Sequence, residues 1–346
     1  MRVLTAILVL LPFLAFTQSP KVVAGPFQGH TSSNSVKVWF LGKDVQEVSY
    51  IISNLADSTD SQHGKVKANT DYCYKDECPF KLDISNLKEA ATYQFELYSG
   101  KILLASRSIK TIKHYEVDDF SFLIGSCAFI GTGKDKLYKL WNSTRIFNTL
   151  AEEKEGDFMV WMGDNLYLLG NEIKSKEKTL KRYNKVRQHK KLNRFMKEKF
   201  HYAIWDDHDF GPNNCDGNFI AKDKSKEIFE QYWVNPNKPH EDGIYFNFTY
   251  GDIEIFMLDD RYNRDDASTE KIMLGAKQMQ WLKDGLVNSS ATFKIVVAGN
   301  QVLNQYDDHE SFINTKRSEP SCSLLLKTVK SMEYYSAPET GITVRF

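Results

Sequence analysis

The chain has 346 residues, 42% hydrophobic and 26% charged, enough to bury a substantial core and to hold two domains. Lys plus Arg and Asp plus Glu balance at 45 each, so bulk charge gives no case for a nucleic-acid partner. The 22 Phe, 17 Tyr and 6 Trp argue against long disorder.

Arg2 precedes an apolar run, Val3–Phe16, and polar Thr17-Gln18-Ser19-Pro20 follows it. This pattern predicts a signal peptide over residues 1–18, processed near Thr17 or Gln18. The alternative is an uncleaved anchor, but the run falls short of the roughly 20 residues that span a bilayer. No Cys sits at the expected cleavage site and no later segment is apolar enough to span a membrane, so no stable membrane anchor is expected. The expected location is secreted or periplasmic. Five cysteines follow, Cys73, Cys78, Cys127, Cys215 and Cys322, and an exported protein can form disulfides. Cys73 and Cys78 are near enough in sequence to close a small loop and are the disulfide candidate.

Residues 20–113 read as short strands. Ser35–Phe40 alternates polar and apolar, as a half-buried strand does, and so do Glu47–Tyr50 and Tyr93–Tyr98. Strands with turn signals between them predict a small N-terminal β-sandwich. Leu82–Leu87 through Thr92-Tyr93 resembles the strand-turn-strand corner of fibronectin type III modules. An adhesion role for this unit finds little support, because few exposed-type aromatics cluster there.

From Phe120 the pattern changes. Phe120–Gly125, Asp157–Met162, Tyr202–Trp205, Ile253–Leu258 and Phe293–Ala298 are apolar strands. Helical patterns lie between them, through Trp141, Phe147 and Leu150, along the basic stretch Lys174–Lys199, and at Gln278–Leu282. Alternating strands and helices predict an α/β sheet layered by helices. The basic stretch reads as a solvated amphipathic helix or as an electrostatic lip for phosphorylated substrates.

Ligands in open α/β sheets gather at the carboxyl ends of strands, and four such ends here carry polar clusters. Gly125-Ser-Cys127 offers a thiol, which is either a small buried hydrophobe or, beside metal ligands, a thiolate. Gly163-Asp164-x-x-Tyr167 places a carboxylate and a phenol three residues apart, and purple-acid-type binuclear phosphoesterases use the same motif. Trp205-Asp206-Asp207-His208-Asp209 packs three carboxylates and an imidazole together, and they repel unless cations bind between them. The alternative is an acidic loop capping a helix. This block is similar to the Asn-His-Asp/Glu block of calcineurin-like phosphoesterases, which implies Asp207 as a metal ligand and His208 as a neighbouring or proton-handling group. Leu258-Asp259-Asp260-Arg261 offers a guanidinium fork for phosphate, or a salt-bridged turn. No Gly-x-Ser-x-Gly elbow is evident, which disfavours a triad hydrolase.

Taken in order, these residues resemble the PhoD-like (alkaline phosphatase D) family over about residues 20–314. The resemblance starts at Ala24–Phe27 and runs through Gly125–Cys127, Gly163–Tyr167, Trp205–Asp209 and Lys226–Trp233. It continues through Gly243–Tyr245, Leu258–Arg261, Gly275–Leu282 and Phe293–Asn304. It implies a fibronectin-like β-sandwich over 20–113, then a four-layer α/β/β/α metallophosphatase domain over 117–314 that hydrolyses phosphate monoesters or diesters with metal-activated water. By the same resemblance Cys127, Asp164, Tyr167, Asp207 and Asn213 or Asn214 are metal ligands, and Arg261 grips phosphate. It further implies iron with calcium, or zinc or manganese, and a small phosphorylated substrate. The competing expectation is an exported binding protein that kept the fold without catalysis. The sequons Asn142-Ser-Thr, Asn247-Phe-Thr and Asn288-Ser-Ser matter only in a eukaryotic secretory host.

After Asn314 the resemblance stops. Residues 315–346 lack the family's Gly-Asp-Arg-His strand-end motif, whose His binds metal. In a reading frame shifted by one base, the codons from Met332 to Ile342 permit Gly-Val-Leu-Phe-x-x-Gly-Asp-Arg-His. The expectation is therefore a frameshift near Asn314 or Thr315, with the tail foreign to the fold, the closing strands missing and the activity lowered or lost.

Overall fold

The computed structural model describes residues 19–113, 119–131, 144–236, 240–267, 272–302 and 342–345. The expected signal peptide, Trp141 and Cys322 lie outside these residues. The described residues form a mixed α/β structure.

The first strands are β1 (Lys21–Thr31), β2 (Val36–Lys43), β3 (Glu47–Asn54), β4 (Ser61–Lys67), β5 (Glu77–Ile84), β6 (Thr92–Ser99) and β7 (Ile102–Lys110). Alternation decides which way they face. Val36, Val38 and Phe40 of β2 and Phe80, Leu82 and Ile84 of β5 share one cluster with Val48, Ile52, Tyr93, Phe95 and Leu97. The sheet β4-β3-β6-β7 therefore packs on β2 and β5. Cys73 and Cys78 are joined by a disulfide at the start of β5. The expectation of a half-buried β2 is corrected. Its opposite face, Trp39 and Leu41, is also buried, in the larger core, and Trp39 donates its indole N–H to the Gln231 carbonyl at 2.8 Å.

The second half follows as β8 (Ser121–Gly125), α1 (Ile146–Glu152), β9 (Phe158–Met162), α2 (Lys176–Arg187), α3 (Lys190–Met196) and β10 (Phe200–Ile204). Then come α4 (Asp207–Phe210), α5 (Lys222–Tyr232), β11 (Phe246–Tyr250), β12 (Ile253–Met257), α6 (Ala276–Asn288), β13 (Phe293–Val297) and β14 (Ile342–Arg345). One seven-stranded sheet runs β14-β8-β9-β10-β1-β2-β5. It crosses the boundary expected between residues 113 and 117, because β1 pairs in parallel with β10 at Gln28 and Phe200. The sheet β11-β12-β13 faces it across an aromatic core, where Tyr202 stacks on Phe248 at 3.7 Å and Phe158 meets Tyr250 at 4.9 Å.

Two further expectations change. The basic stretch Lys174–Lys199 is two helices, not one, and His189 caps the second by accepting from the Leu192 amide. Within it Arg182 and Arg187 are buried, and Arg187 lies 4.0 Å from the Trp233 ring. In the tail, β14 pairs antiparallel with β8 from Ile342–Ile124 to Arg345–Ser121, so this segment adds an edge strand to the main sheet.

Candidate metal centre and active site

β8, β9 and β10 are parallel neighbours, so their carboxyl ends open on one edge of the sheet. β8 leads to Cys127, β9 to Asp164 and Tyr167, and β10 to Asp206, Asp207, His208 and Asp209. β12 and β13 bring Asp259, Asp260, Arg261 and Asn300 beside them.

The turns are tight. Cys127, Asp164 and Asn214 hold φ of 56°, 52° and 57°, a left-handed conformation that non-glycine residues rarely adopt. The Cys127 amide donates to the Gly163 carbonyl at 3.3 Å, and the Ala128 amide to the Asp164 carbonyl at 2.8 Å, so the two strained turns lie together. Gly163 has φ 106°, and a Cβ there would meet Asp206 Cβ at 2.6 Å. Only glycine lets the β9 turn pass this close to the β10 turn.

Asp164, Asp207 and His208 present ligand atoms within 4.8 Å of one another. His208 Nδ1 lies 2.7 Å from Asp207 Oδ1 and 3.3 Å from Asp164 Oδ2, while the His208 amide donates to Asp164 Oδ1 at 3.3 Å. Burial opposes the imidazolium, but hydrogen bonds to the two carboxylates outweigh it and hold the ring up to about 10. Burial likewise works against ionised Asp207, yet His208, Arg261 and the Asn214 amide bring it down to about 2. Cys127 Sγ lies 3.9 Å from Asp164 Oδ2, with its thiol pushed up chiefly by burial. The Tyr167 ring stands 4.2 Å from the His208 ring and 4.9 Å from Phe129. Burial, then Asp164 and Cys127, hold its phenol above the ordinary value. Thiol, phenol, imidazole and carboxylates thus meet in one place.

Asn213 and Asn214 are exposed, and Asn214 contributes through its backbone, whose amide donates to Asp207 Oδ2 at 2.5 Å. Arg261 takes a different place from the one expected. It is 0% exposed, and its guanidinium donates to Asp206 Oδ1 at 2.5 Å, the Cys215 carbonyl at 3.3 Å and Asn300 Oδ1 at 3.4 Å. Burial opposes its charge, but Asp206 and Asp260 outweigh that and raise it above its ordinary value. This is the geometry of the salt-bridged turn, the other reading of the same residues, with the fork occupied by protein partners.

Sequence reasoning missed Asn300, which no charge or spacing marks. It donates from its backbone and side chain to Asp260 Oδ2 at 2.7 and 2.9 Å, and from its side chain to Asp206 Oδ1 at 3.1 Å. Among the described residues, Asp260 Oδ1 is buried without a hydrogen-bond partner. The acidic block also caps α4, with Asp206 and Asp209 reciprocally bonded as a capping box. Asp206, Asp207, Asp209, Asp259 and Asp260 are all buried, and burial raises Asp206, Asp209 and Asp259 above the ordinary carboxylate range.

The family profile of PhoD-like phosphatases matches residues 126–319, more than half of the chain. The chain belongs to the PhoD-like phosphatase family. The PhoD-like match takes in Cys127, Asp164–Tyr167, Asp206–Asp209 and Asp259–Arg261 and continues past Asn314, where the resemblance was expected to stop. The solved structure of PhoD superposes with a TM-score of 0.69 at 18% identity, covering 88% of this chain and 68% of that one. That likeness concerns the fold. The FN5 domain of Drosophila Lar gives a TM-score of 0.20 at 14% identity, covering 27% of this chain and 94% of that domain. The sensor domain of the anti-sigma factor RsgI4 from Pseudobacteroides cellulosolvens gives 0.23 at 12% identity, covering 29% of this chain and 94% of that domain. No curated protein matches the chain. PhoD-like membership implies a hydrolase acting on phosphoesters.

Proposed function

We propose that this PhoD-like chain is an exported, metal-dependent hydrolase of phosphate monoesters or diesters. The observation that carries the reading is the convergence of Asp164, Asp207 and His208 above a floor of buried carboxylates. The residues fit cations. Five carboxyl groups crowd beside the guanidinium groups of Arg261 and Arg264, and among the described residues the buried Asp260 Oδ1 has no protein donor. Cys127, Asp164, Tyr167 and Asp207 would hold the ions, with the Asn213-Asn214 turn beside them. A thiolate and a phenolate suit iron, whereas carboxylates suit calcium, manganese or zinc. When bound, such ions would supply Lewis acidity, acidifying water and neutralising phosphoryl oxygens.

The protein's own groups do the remaining work. Asp164 and Asp207 orient the His208 ring through Nδ1 and favour its charged form. His208 then hands a proton to the departing ester oxygen. The strained turns at Cys127 and Asp164 hold their side chains toward the same point before substrate arrives. The fold implied by the family, four layers behind a fibronectin-like sandwich, is supported by the aromatic core between the β8–β10 and β11–β13 strands. Export is supported by the Cys73–Cys78 disulfide.

The test is hydrolysis of p-nitrophenyl phosphate and bis-p-nitrophenyl phosphate by purified protein, before and after chelator treatment, together with bound-metal content. Turnover that chelation abolishes and added metal restores is the expected result. A metal-free protein that binds phosphate without turnover would favour the non-catalytic binding protein instead.

A further inference from the structure

One buried carboxylate has no place in the chemistry above. Asp209 lies two residues beyond Asp207, is 1% exposed and faces no cation at hydrogen-bond distance among the described residues. Its partners are backbone amides from two different loops. Oδ1 accepts from Asn165 at 3.0 Å and from Leu166 at 3.3 Å. Oδ2 accepts from Asn165 at 3.2 Å and from Asp206 at 3.2 Å. Asn165 follows Asp164, and Asp206 precedes Asp207. A single side chain therefore ties the β9 turn to the β10 turn, each at the residue adjoining a candidate ligand. The Asn165 side chain closes the same joint from the other side, donating to the Ile204 carbonyl at 2.7 Å. At Gly163 the two turns are in van der Waals contact, so they have no slack.

We propose that Asp209 is a positioning residue: it clasps the Asp164 and Asp207 turns at the spacing a cation requires, without touching the cation or the substrate. This rests on the metal-dependent reading. The atom pattern favours a clasp over a second ligand, because every close partner of the carboxylate is an N–H donor and both oxygens are occupied. Asparagine is nearly the same size but would turn an NH2 toward one of the loop amides, so donor would face donor. Glutamate would keep the carboxyl group and move it outward by one methylene.

The experiment compares wild type, Asp209→Asn and Asp209→Glu with a control of similar burial. Asn235→Ala serves as that control. The Asn235 side chain brackets Ala203 of β10 through bonds of 3.0 and 2.7 Å and, among the described residues, bonds to neither the Asp164 nor the Asp207 turn. Chelator-treated proteins are titrated with Mn2+ by calorimetry, and amide hydrogen exchange is measured without metal. The clasp predicts that both Asp209 variants bind Mn2+ at least about 10-fold more weakly, with faster exchange concentrated at Asn165, Leu166 and Asp206 (a factor of 10 corresponds to about 1.4 kcal/mol). Asn235→Ala is expected to lose thermal stability with affinity little changed. Equal affinity losses in the Asp209 variants and the control would make Asp209 merely structural and overturn the proposal. Unchanged affinity in the Asp209 variants would also overturn it. If wild type binds no Mn2+, the metal reading fails by itself, and the exchange data decide the clasp: protection retained at those three amides in Asp209→Asn ends it.

Discussion

Trp205 donates its indole N–H to Asp259 Oδ1 at 2.7 Å, with both side chains 0% exposed. The same carboxylate accepts from the amides of Arg261, Tyr262 and Ile244 at 3.0, 3.0 and 2.8 Å. One hydrogen bond thus joins the end of β10 to the end of β12, and Asp259 organises the turn that carries Arg261. Trp205→Phe removes a charge-assisted bond and is expected to cost about 1.5–3 kcal/mol in urea unfolding. Asp259→Ala strands four donors and is expected to cost more than Trp205→Phe. The reverse order would mean that Asp259 does not organise the turn.

Arg261 separates a structural ion pair from a substrate clamp. Arg261→Met leaves Asp206 buried beside Asp260 without its cation, so a loss of about 3–5 kcal/mol is expected. Any folded fraction should keep a near-normal KM. A stable variant with a greatly raised KM would return Arg261 to the phosphate.

His208 has the opposite profile. Its side chain is 18% exposed and its partners are carboxylates, not core groups. His208→Asn is expected to lower kcat by about 10²–10⁴-fold with a small change in Tm. A kcat within a few-fold of wild type would remove the proton-transfer role.

Gly163 tests the strained turn. Gly163→Ala places a methyl 2.6 Å from Asp206 Cβ and 2.8 Å from its amide nitrogen, at φ 106°. The expected result is a destabilisation above about 2 kcal/mol, with weaker metal binding than in a variant of the open Gly100 turn. Equal behaviour of the two variants would refute the close-approach argument.

Acid should weaken the fold through two histidines. Burial, then Lys37, lowers His30 to about 4, and burial, then Arg187, holds His201 well below the ordinary value. His201 accepts from the Trp161 indole through Nδ1 at 3.0 Å, so protonation there would set donor against donor. Both folded-state values are depressed. The folded state therefore takes up fewer protons than the unfolded chain, and stability falls as pH drops below about 6.5. For His30 the loss is complete near 4 and amounts to at most about 3 kcal/mol. His30→Asn should show a shallower fall between those values in urea midpoints, and an identical slope would exclude His30 as a source.

The reading-frame expectation is tested at the DNA. Sequencing across codons 310–346 should show a one-base change near Asn314 or Thr315, and the corrected frame should encode Gly-Asp-Arg-His. An unchanged frame would end that reading.

The sequence by itself determined the strands and the chemistry at their ends. Apolar runs such as Phe158–Met162 can only be buried, and Gly163-Asp164-x-x-Tyr167 and Asp206–Asp209 carry their acidic character in any fold. Strand β11 was missed although its residues alternate, because its partner β12 supplies the pairing that makes it a strand. Which charged groups face outward was also not legible. Arg261 offers a phosphate fork or a salt-bridged turn in one dimension and Asp209 no role of its own, and only the approach of β12, β13 and the two turns joins them to Asp206 and to backbone amides. The continuity of β1 with β10, the second buried face of β2 and the role of Asn300 are likewise contacts between residues far apart in sequence. Local pattern sets what a segment buries, whereas the partner that satisfies a buried charge is chosen by the packing of distant segments, because a hydrogen bond needs its donor within about 3 Å.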